Sequence, residues 1–185
     1  GADLTGQPYD RFLAAGVAFL PAGRLEEGLI PGLSVCEHVA LADREGGFFL
    51  DWGAAKQRAL ACIADFNIRG RPDSLVEGLS GGNQQRTLLA LLPPHLNLLL
   101  MEHPTRGLDI ESTLWVWDRL LERRRQGTAI LFMSADLDEI IEHSDRILVF
   151  SGGQVTRALL ATETTAAQLG EYIGGLAEAG RPRLG

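Results

Sequence analysis

Apolar positions along this chain fall into short continuous runs alternating with stretches of helical period, the pattern of an α/β protein. Residues 16–20 (GVAFL) form a run ended by Pro21, which predicts a strand covered on both faces. The wider segment 13–22 (LAAGVAFLPA) is read with it as buried strand. It is a poor secretion signal, because Arg11 is the only cation before it and Asp3 and Asp10 stand close by. Gly23, Gly28, Pro31 and Gly32 mark a loop. Ser34, followed three residues later by Glu37, is a capping-box pattern and opens a helix through Val35, His38, Val39 and Leu41. Ala59, Leu60, Cys62, Ile63 and Phe66 recur at helical spacing in a second helix over 54–66, and the two predict a small α-helical lobe. Ser80 stands at the cap position of a helix that runs to about residue 92 and stops at Pro93 and Pro94. A strand follows over 96–101, interrupted by Asn97. The helix over 111–126 carries Leu114, Val116, Trp117, Leu120 and Leu121, then three arginines, and ends at Gly127. The remainder reads as a strand at 129–133, a short helix at 136–143, strands at 146–150 and 154–160 about a Gly152-Gly153 turn, and a helix over 164–176.

Composition narrows this picture. With 185 residues, 45% of them hydrophobic, and a mean hydropathy of +0.04, the chain has room for one main core and a smaller lobe. No apolar stretch approaches the roughly 20 residues needed to span a bilayer, so direct membrane insertion is not expected. Seventeen Lys and Arg against 24 Asp and Glu leave a net charge of -7, the wrong sign for binding DNA or RNA through phosphates. Cys36 and Cys62 have neither CxxC nor metal-like spacing and read as reduced thiols packed inside a cytoplasmic protein. His38, His95 and His143 are isolated and read as surface or capping residues rather than a zinc set. Trp115 and Trp117, two apart on one helix, cannot share a face, so one belongs to the core and the other lies exposed. Arg123, Arg124 and Arg125 read as a solvated helix end.

The chemistry concentrates in Leu79-Ser80-Gly81-Gly82-Asn83-Gln84-Gln85. A helix N-terminus carries unpaired N–H groups and about half a positive charge, and two glycines there remove the side chains that would hold a phosphate away. Such an end contributes only about 0.3 to 1 kcal/mol per nearby negative charge, up to about 2 when partly buried, too little to hold a triphosphate alone. By itself, Ser-Gly-Gly reads as a flexible helix start, and the flanking sequence reverses that reading. Downstream, an apolar strand runs into Glu102-His103-Pro104-Thr105-Arg106-Gly107-Leu108-Asp109.

With LSGGNQQ at this distance from EHPTRGLD, the chain resembles the nucleotide-binding domains of ABC transporters, in which a signature helix precedes a Walker B strand and a D-loop. Phe19-Leu20-Pro21-Ala22-Gly23-Arg24, then Gly28-Leu29, is similar to the loop that replaces the usual Q-loop in sugar- and nucleoside-type importers. Ser144-Asp145-Arg146-Ile147 and Gly152-Gly153 match that group, and the likeness is to the second of two fused domains. The resemblance implies a partial P-loop-NTPase-like α/β sheet with flanking helices. It places a helical subdomain at about 34–92, with residues 34–78 meeting a membrane subunit and the Arg24 loop as hinge. A core sheet would occupy about 10–33 and 93–160, and a C-terminal helix about 164–177. It further implies that Ser80, Gly81, Gly82, Asn83 and Gln84 face ATP held by an opposite nucleotide-binding domain, with Gly107, Leu108 and Asp109 at the same interface. Transmembrane permease subunits are the implied second partner, and the implied location is the cytoplasmic side of the inner or plasma membrane.

Departures from the family are informative. No GxxxxGK[ST] occurs, and the chain opens with Gly rather than Met, so truncation of an upstream phosphate loop is the expectation, and the chain alone should hydrolyse nothing measurable. ATP and Mg²⁺ would then bind only with a partner that supplies that loop. Glu102 and His103 stand where the family commonly has Asp and Glu. Glu102 would order a water on Mg²⁺, and His103 is either a proton acceptor or a loop histidine at a site that no longer hydrolyses ATP. Ala135 replaces the family's switch histidine. The function expected is the ATP-binding component of an importer for a sugar, nucleoside or similar small solute. The alternative is a catalytically inactive module that transmits closure to a membrane subunit. A chromosome-maintenance ATPase is disfavoured by the acidic balance and the absence of long heptad arms.

Overall fold

A computed structural model describes residues 3–43, 50–151 and 154–174, which divide into two compact units, up to Phe132 and from Met133 onward. In the first unit, strands β1 (Val17–Leu20), β2 (Leu98–Glu102) and β3 (Ala129–Met133) form a sheet with β2 central. β1 and β2 run parallel, Val17 opposite Leu98 and Leu20 opposite Met101. Asn97, the polar interruption of the apolar run, sits just before β2, where its side-chain amide donates to the Ala15 carbonyl at 2.9 Å.

The segment 13–22 is not one strand. Leu13 and Ala14 belong to a short helix, α1 (Tyr9–Ala14), and Gly16 turns the chain at φ +72° into β1. Nor is β1 covered on both faces: Ala18 and Leu20 are buried, whereas Phe19 is 44% exposed. Its alternation is that of a strand buried on one side.

Between β1 and β2 lie α2 (Val35–Ala42), α3 (Trp52–Asp65) and α4 (Gly81–Ala90). The capping box of α2 forms as expected: the Glu37 amide donates to Ser34 Oγ at 3.2 Å, and Glu37 Oε2 accepts from the Ser34 amide at 2.7 Å. Residues 33–36 then dock along 72–76 through backbone bonds from Val35 to Ser74 and from Val76 to the Leu33 carbonyl. α5 (Ile110–Arg125) connects β2 to β3. The core under these elements is built from Leu20, Val35, Val76, Leu89, Leu99, Val116 and Leu120, each contributing about 1.5 to 3 kcal/mol relative to exposure. Trp117 joins this core edge-on to Phe132 at 4.9 Å, while Trp115 is half-buried between Phe66 and the guanidinium of Arg86.

Two surface assignments change. His38 is only 4% exposed. Its Nε2 accepts from the Ile30 amide and its Nδ1–H donates to the Ser34 carbonyl, both at 2.8 Å, tying the loop before α2 to the helix itself. His38→Phe, which keeps the volume but removes the acceptor for the Ile30 amide, is expected to cost about 1 kcal/mol in denaturant unfolding; an unchanged midpoint would contradict this role. Arg123 is likewise not simply solvated, since its Nη1 donates to the Pro93 carbonyl at 2.9 Å.

In the second unit, β4 (Arg146–Ser151) and β5 (Gln154–Leu160) form an antiparallel hairpin with an irregular register at Val149/Phe150, accompanied by α6 (Leu137–His143) and α7 (Ala166–Ile173). Ile147, Val149, Ala161 and Leu169 make its core. The Gly152-Gly153 turn and the predicted end of the last helix past 174 lie outside the described residues. Among those residues, no helix is long and apolar enough to cross a membrane.

Candidate functional site

Ser80 occupies the cap position of α4 in extended backbone, φ -63° and ψ 156°, but its hydroxyl does not cap the helix. It accepts instead from the Asn83 side-chain amide at 2.8 Å. The first backbone bond that α4 makes at this end runs from the Gln84 amide to the Ser80 carbonyl at 2.9 Å. The amides of Gly81, Gly82 and Asn83 therefore have no acceptor among the described residues, and the three residues are only partly buried. Three unpaired donors at the positive end of a ten-residue helix are open to an anion.

The glycines also have intramolecular reasons. A Cβ on Gly82 would lie 2.4 Å from Ser112 Oγ, and one on Gly81 would lie 3.3 Å from Arg24 Nη1 and 4.0 Å from Leu108. The missing side chains let the start of α4 approach the start of α5. That second helix is capped by Asp109, whose carboxylate accepts from the Ser112 amide at 2.8 Å and from the Ser112 hydroxyl at 3.1 Å. These bonds from Ser112 hold the Asp109 carboxyl below its usual range. The cap is thus intact above the ordinary carboxylate pKa and is lost only as pH falls through the lower folded value. Ahead of it, residues 103–108 form a turn. The Arg106 amide donates to the His103 carbonyl and the Leu108 amide to the Thr105 carbonyl, and Gly107 takes φ +70°.

A third element meets the first two. Residues 24–28 (Arg24–Gly28), read from sequence as loop, form a π-helical turn. From it Arg24 Nε donates to Gln85 Oε1 on α4 at 3.0 Å, and its Nη2 donates to the Arg106 carbonyl. Partial burial lowers the proton affinity of this guanidinium, and Glu26 partly offsets the effect.

The expected site residues therefore divide. Gly81 comes together with Leu108 and, unforeseen, Arg24, and Gly82 with Ser112, through which Asp109 joins them, whereas the Ser80 hydroxyl is turned to Asn83. Asn83 fixes the approach to α4, its Oδ1 accepting from the Arg69 amide at 2.8 Å. Gln84 is turned inward, donating to the carbonyls of Val76 at 3.2 Å and Leu79 at 3.1 Å. Glu102 ends β2 and His103 follows in left-handed backbone, φ 44°, and neither side chain has a hydrogen-bond or ion-pair partner among the described residues. Histidine is one of the few side chains that tolerate this region.

No protein-family model matches the chain. Solved structures with this arrangement include an ATP-binding subunit of an ABC transporter, TM-score 0.71 at 19% identity over 94% of this chain and 74% of that one. A dimeric ATP-binding cassette in a post-hydrolysis state with ADP and Pi superposes with TM-score 0.68 at 21% identity, covering 84% of this chain and 68% of that one. These likenesses establish the fold. Among sequences, a glucose import ATP-binding protein of Haloferax volcanii is 36% identical over 95% of this chain. A nucleoside import ATP-binding protein of Lactococcus lactis is 33% identical over 90% of it. A ribose import ATP-binding protein of Rubrobacter xylanophilus is 34% identical over 89% of it. The chain belongs to the ABC transporter nucleotide-binding domain family. It spans 34% of the length of each of these three relatives. The open amides of α4 lie in the segment that the resemblance reads as the signature, and residues 107–109 lie in the segment that it reads as the D-loop. Ser112 could have been suspected from sequence, since it stands three residues after a capping aspartate. Arg24's reach to Gln85 and Arg106 has no local sequence signal.

Proposed function

We propose that this chain is the signature-bearing part of the ATP-binding subunit of an importer for a sugar, nucleoside or similar small solute. On this reading it completes a composite ATP site with a second nucleotide-binding domain, which supplies the phosphate loop. The observation that carries the proposal is the trio of unpaired amides at Gly81, Gly82 and Asn83, half-exposed at the start of α4 beside the cationic Arg24. This donor set fits the terminal phosphate of a nucleotide, because it offers fixed dipoles, and the nearby Asp109 carboxylate is engaged by the Ser112 amide and hydroxyl. Glu102, a carboxylate without a partner at the end of a strand, fits as an outer holder of Mg²⁺ through water. When bound, Mg²⁺ neutralises charge on the transferring phosphoryl group.

This chain's contribution to hydrolysis is positional. The amides at 81–83 orient the phosphate, Asp109 and Ser112 hold the D-loop against the signature, and closure of the two domains excludes water from their interface. The lysine that grips the phosphates and the base that activates water come from the partner. Residues 34–78 form the lobe that meets permease subunits, consistent with the exposed apolar side chains of Leu41, Trp52, Leu60 and Leu75. The protein thereby sits on the cytoplasmic face of the membrane without entering it.

Hydrogen exchange on the full-length subunit, assembled with its partners and arrested before hydrolysis, tests the reading. ATP with Mg²⁺ should slow exchange at Gly81, Gly82 and Asn83 by at least about tenfold, as expected when free donors acquire an acceptor. The isolated chain should show no such protection. Equal exchange with and without nucleotide in the assembly would refute the composite site.

A further inference from the structure

We infer that Arg24 is a positioning residue for ATP turnover, fixing the separation between the signature loop and the D-loop; this rests on the composite-site reading above. One guanidinium reaches two segments far apart in the chain. Its Nε donates to Gln85 Oε1 on α4, 61 positions away, and its Nη2 donates to the Arg106 carbonyl, 82 positions away. Its Nη1 lies 3.3 Å from where a Gly81 side chain would begin, so the guanidinium packs closely over the first residue of α4. The Arg24 turn is itself held against α4, because a Cβ on Gly28 would come 2.7 Å from Leu88 Cδ2.

Arg24 has no carboxylate ion-pair partner at salt-bridge distance among the described residues, and both of its acceptors are neutral oxygens. Glu26 acts on the guanidinium only through space, partly offsetting the effect of burial. The donors of Arg24 are placed by the planar fork, which can serve two acceptors at once, whereas the single ammonium of lysine cannot reproduce that geometry. The second acceptor, the Arg106 carbonyl, stands directly before the D-loop, within the turn closed by the Arg106 and Leu108 amides. A shift of the Arg24 turn therefore moves the D-loop and α4 together, and loss of Arg24 frees them from each other.

The test uses the full-length subunit assembled with its partners, carrying Arg24→Gln or Arg24→Lys. Displacing groups that complete an active site by about 1 Å can cost on the order of 100-fold in rate, so kcat should fall at least about tenfold in Arg24→Gln. KM for ATP should stay within about twofold, because the main grip on nucleotide belongs to the partner's phosphate loop. Arg24→Lys should behave like Arg24→Gln, since geometry rather than charge is at stake, and it supplies the test if the glutamine variant folds poorly. In both variants the amides of Arg106 and Leu108 should exchange faster by about tenfold as the turn loosens. Wild-type turnover in either variant, or unchanged exchange at those two amides, overturns the inference. If the wild-type assembly still shows ATP-dependent protection at residues 81–83, the composite site survives that failure; if it does not, the site itself falls first.

Discussion

Gly81→Asp in the assembled subunit is expected to lower ATP turnover by at least about 100-fold, the scale on which a lost transition-state donor is felt, while leaving the folded chain no less stable. Gly81 is the first residue of α4, where a carboxylate interacts favourably with the helix end by about 0.3 to 1 kcal/mol. Its Cβ would stand 3.3 Å from Arg24 Nη1, so the new charge also gains a cation. The same carboxylate places a negative charge over the amides of residues 81–83 and repels the terminal phosphate for which they are open. Stability and activity should therefore move apart, which simple misfolding cannot produce. ATPase assays of the assembly, beside thermal unfolding of the same protein, check both halves. Turnover within about threefold of wild type would sink the prediction, since a lost electrostatic donor costs far more. Gly81→Ala is the control, adding the methyl without the charge.

Gly82→Ala is expected to destabilise the chain by about 2 kcal/mol, with most of the loss recovered by Ser112→Gly in the double variant. The added methyl would begin 2.4 Å from Ser112 Oγ and 3.2 Å from Ser112 Cβ, distances that require something to move. Ser112 is buried and its hydroxyl and amide serve Asp109, so rotating it away loosens the cap of α5, and separating the helices opens the core beside Val116 and Leu120. Overpacking of this kind costs about 1 to 3 kcal/mol and loss of a cap about 1, offset in part by alanine's better helix propensity. A denaturation double-mutant cycle reads the coupling directly. If Gly82→Ala alone stayed within about 0.5 kcal/mol of wild type, the close approach would not constrain the two helices.

Much of the molecule follows from rules that act over three or four residues. Ser34 with Glu37 announces its own helix start, Asp109 caps the helix that begins at Ile110, and Gly127 follows its end, because a cap and its acceptors lie within one turn. Apolar period locates α3, Pro93-Pro94 bound the helix that α4 occupies, and short apolar runs locate β3 and β4, for the same reason. The ABC family was legible because LSGG and the downstream strand-turn segment keep their spacing in the chain. At residues 13–22 local pattern misled: one apolar run holds the end of a helix and a strand, and only the turn at Gly16 separates them.

What depended on the tertiary structure is contact between distant residues. The sequence by itself determined that an amide-rich helix start lies at Ser80 and that its flanking segments match an ABC domain. Only the folded chain decided that Gly82 makes room for Ser112, that Gln84 faces inward, that His38 is buried between the Ile30 amide and the Ser34 carbonyl, and that Arg24 joins Gln85 to Arg106. Caps and periods are written into neighbouring residues by backbone geometry. A side chain's partner across 60 or more positions is set by how the elements pack, which no local pattern encodes.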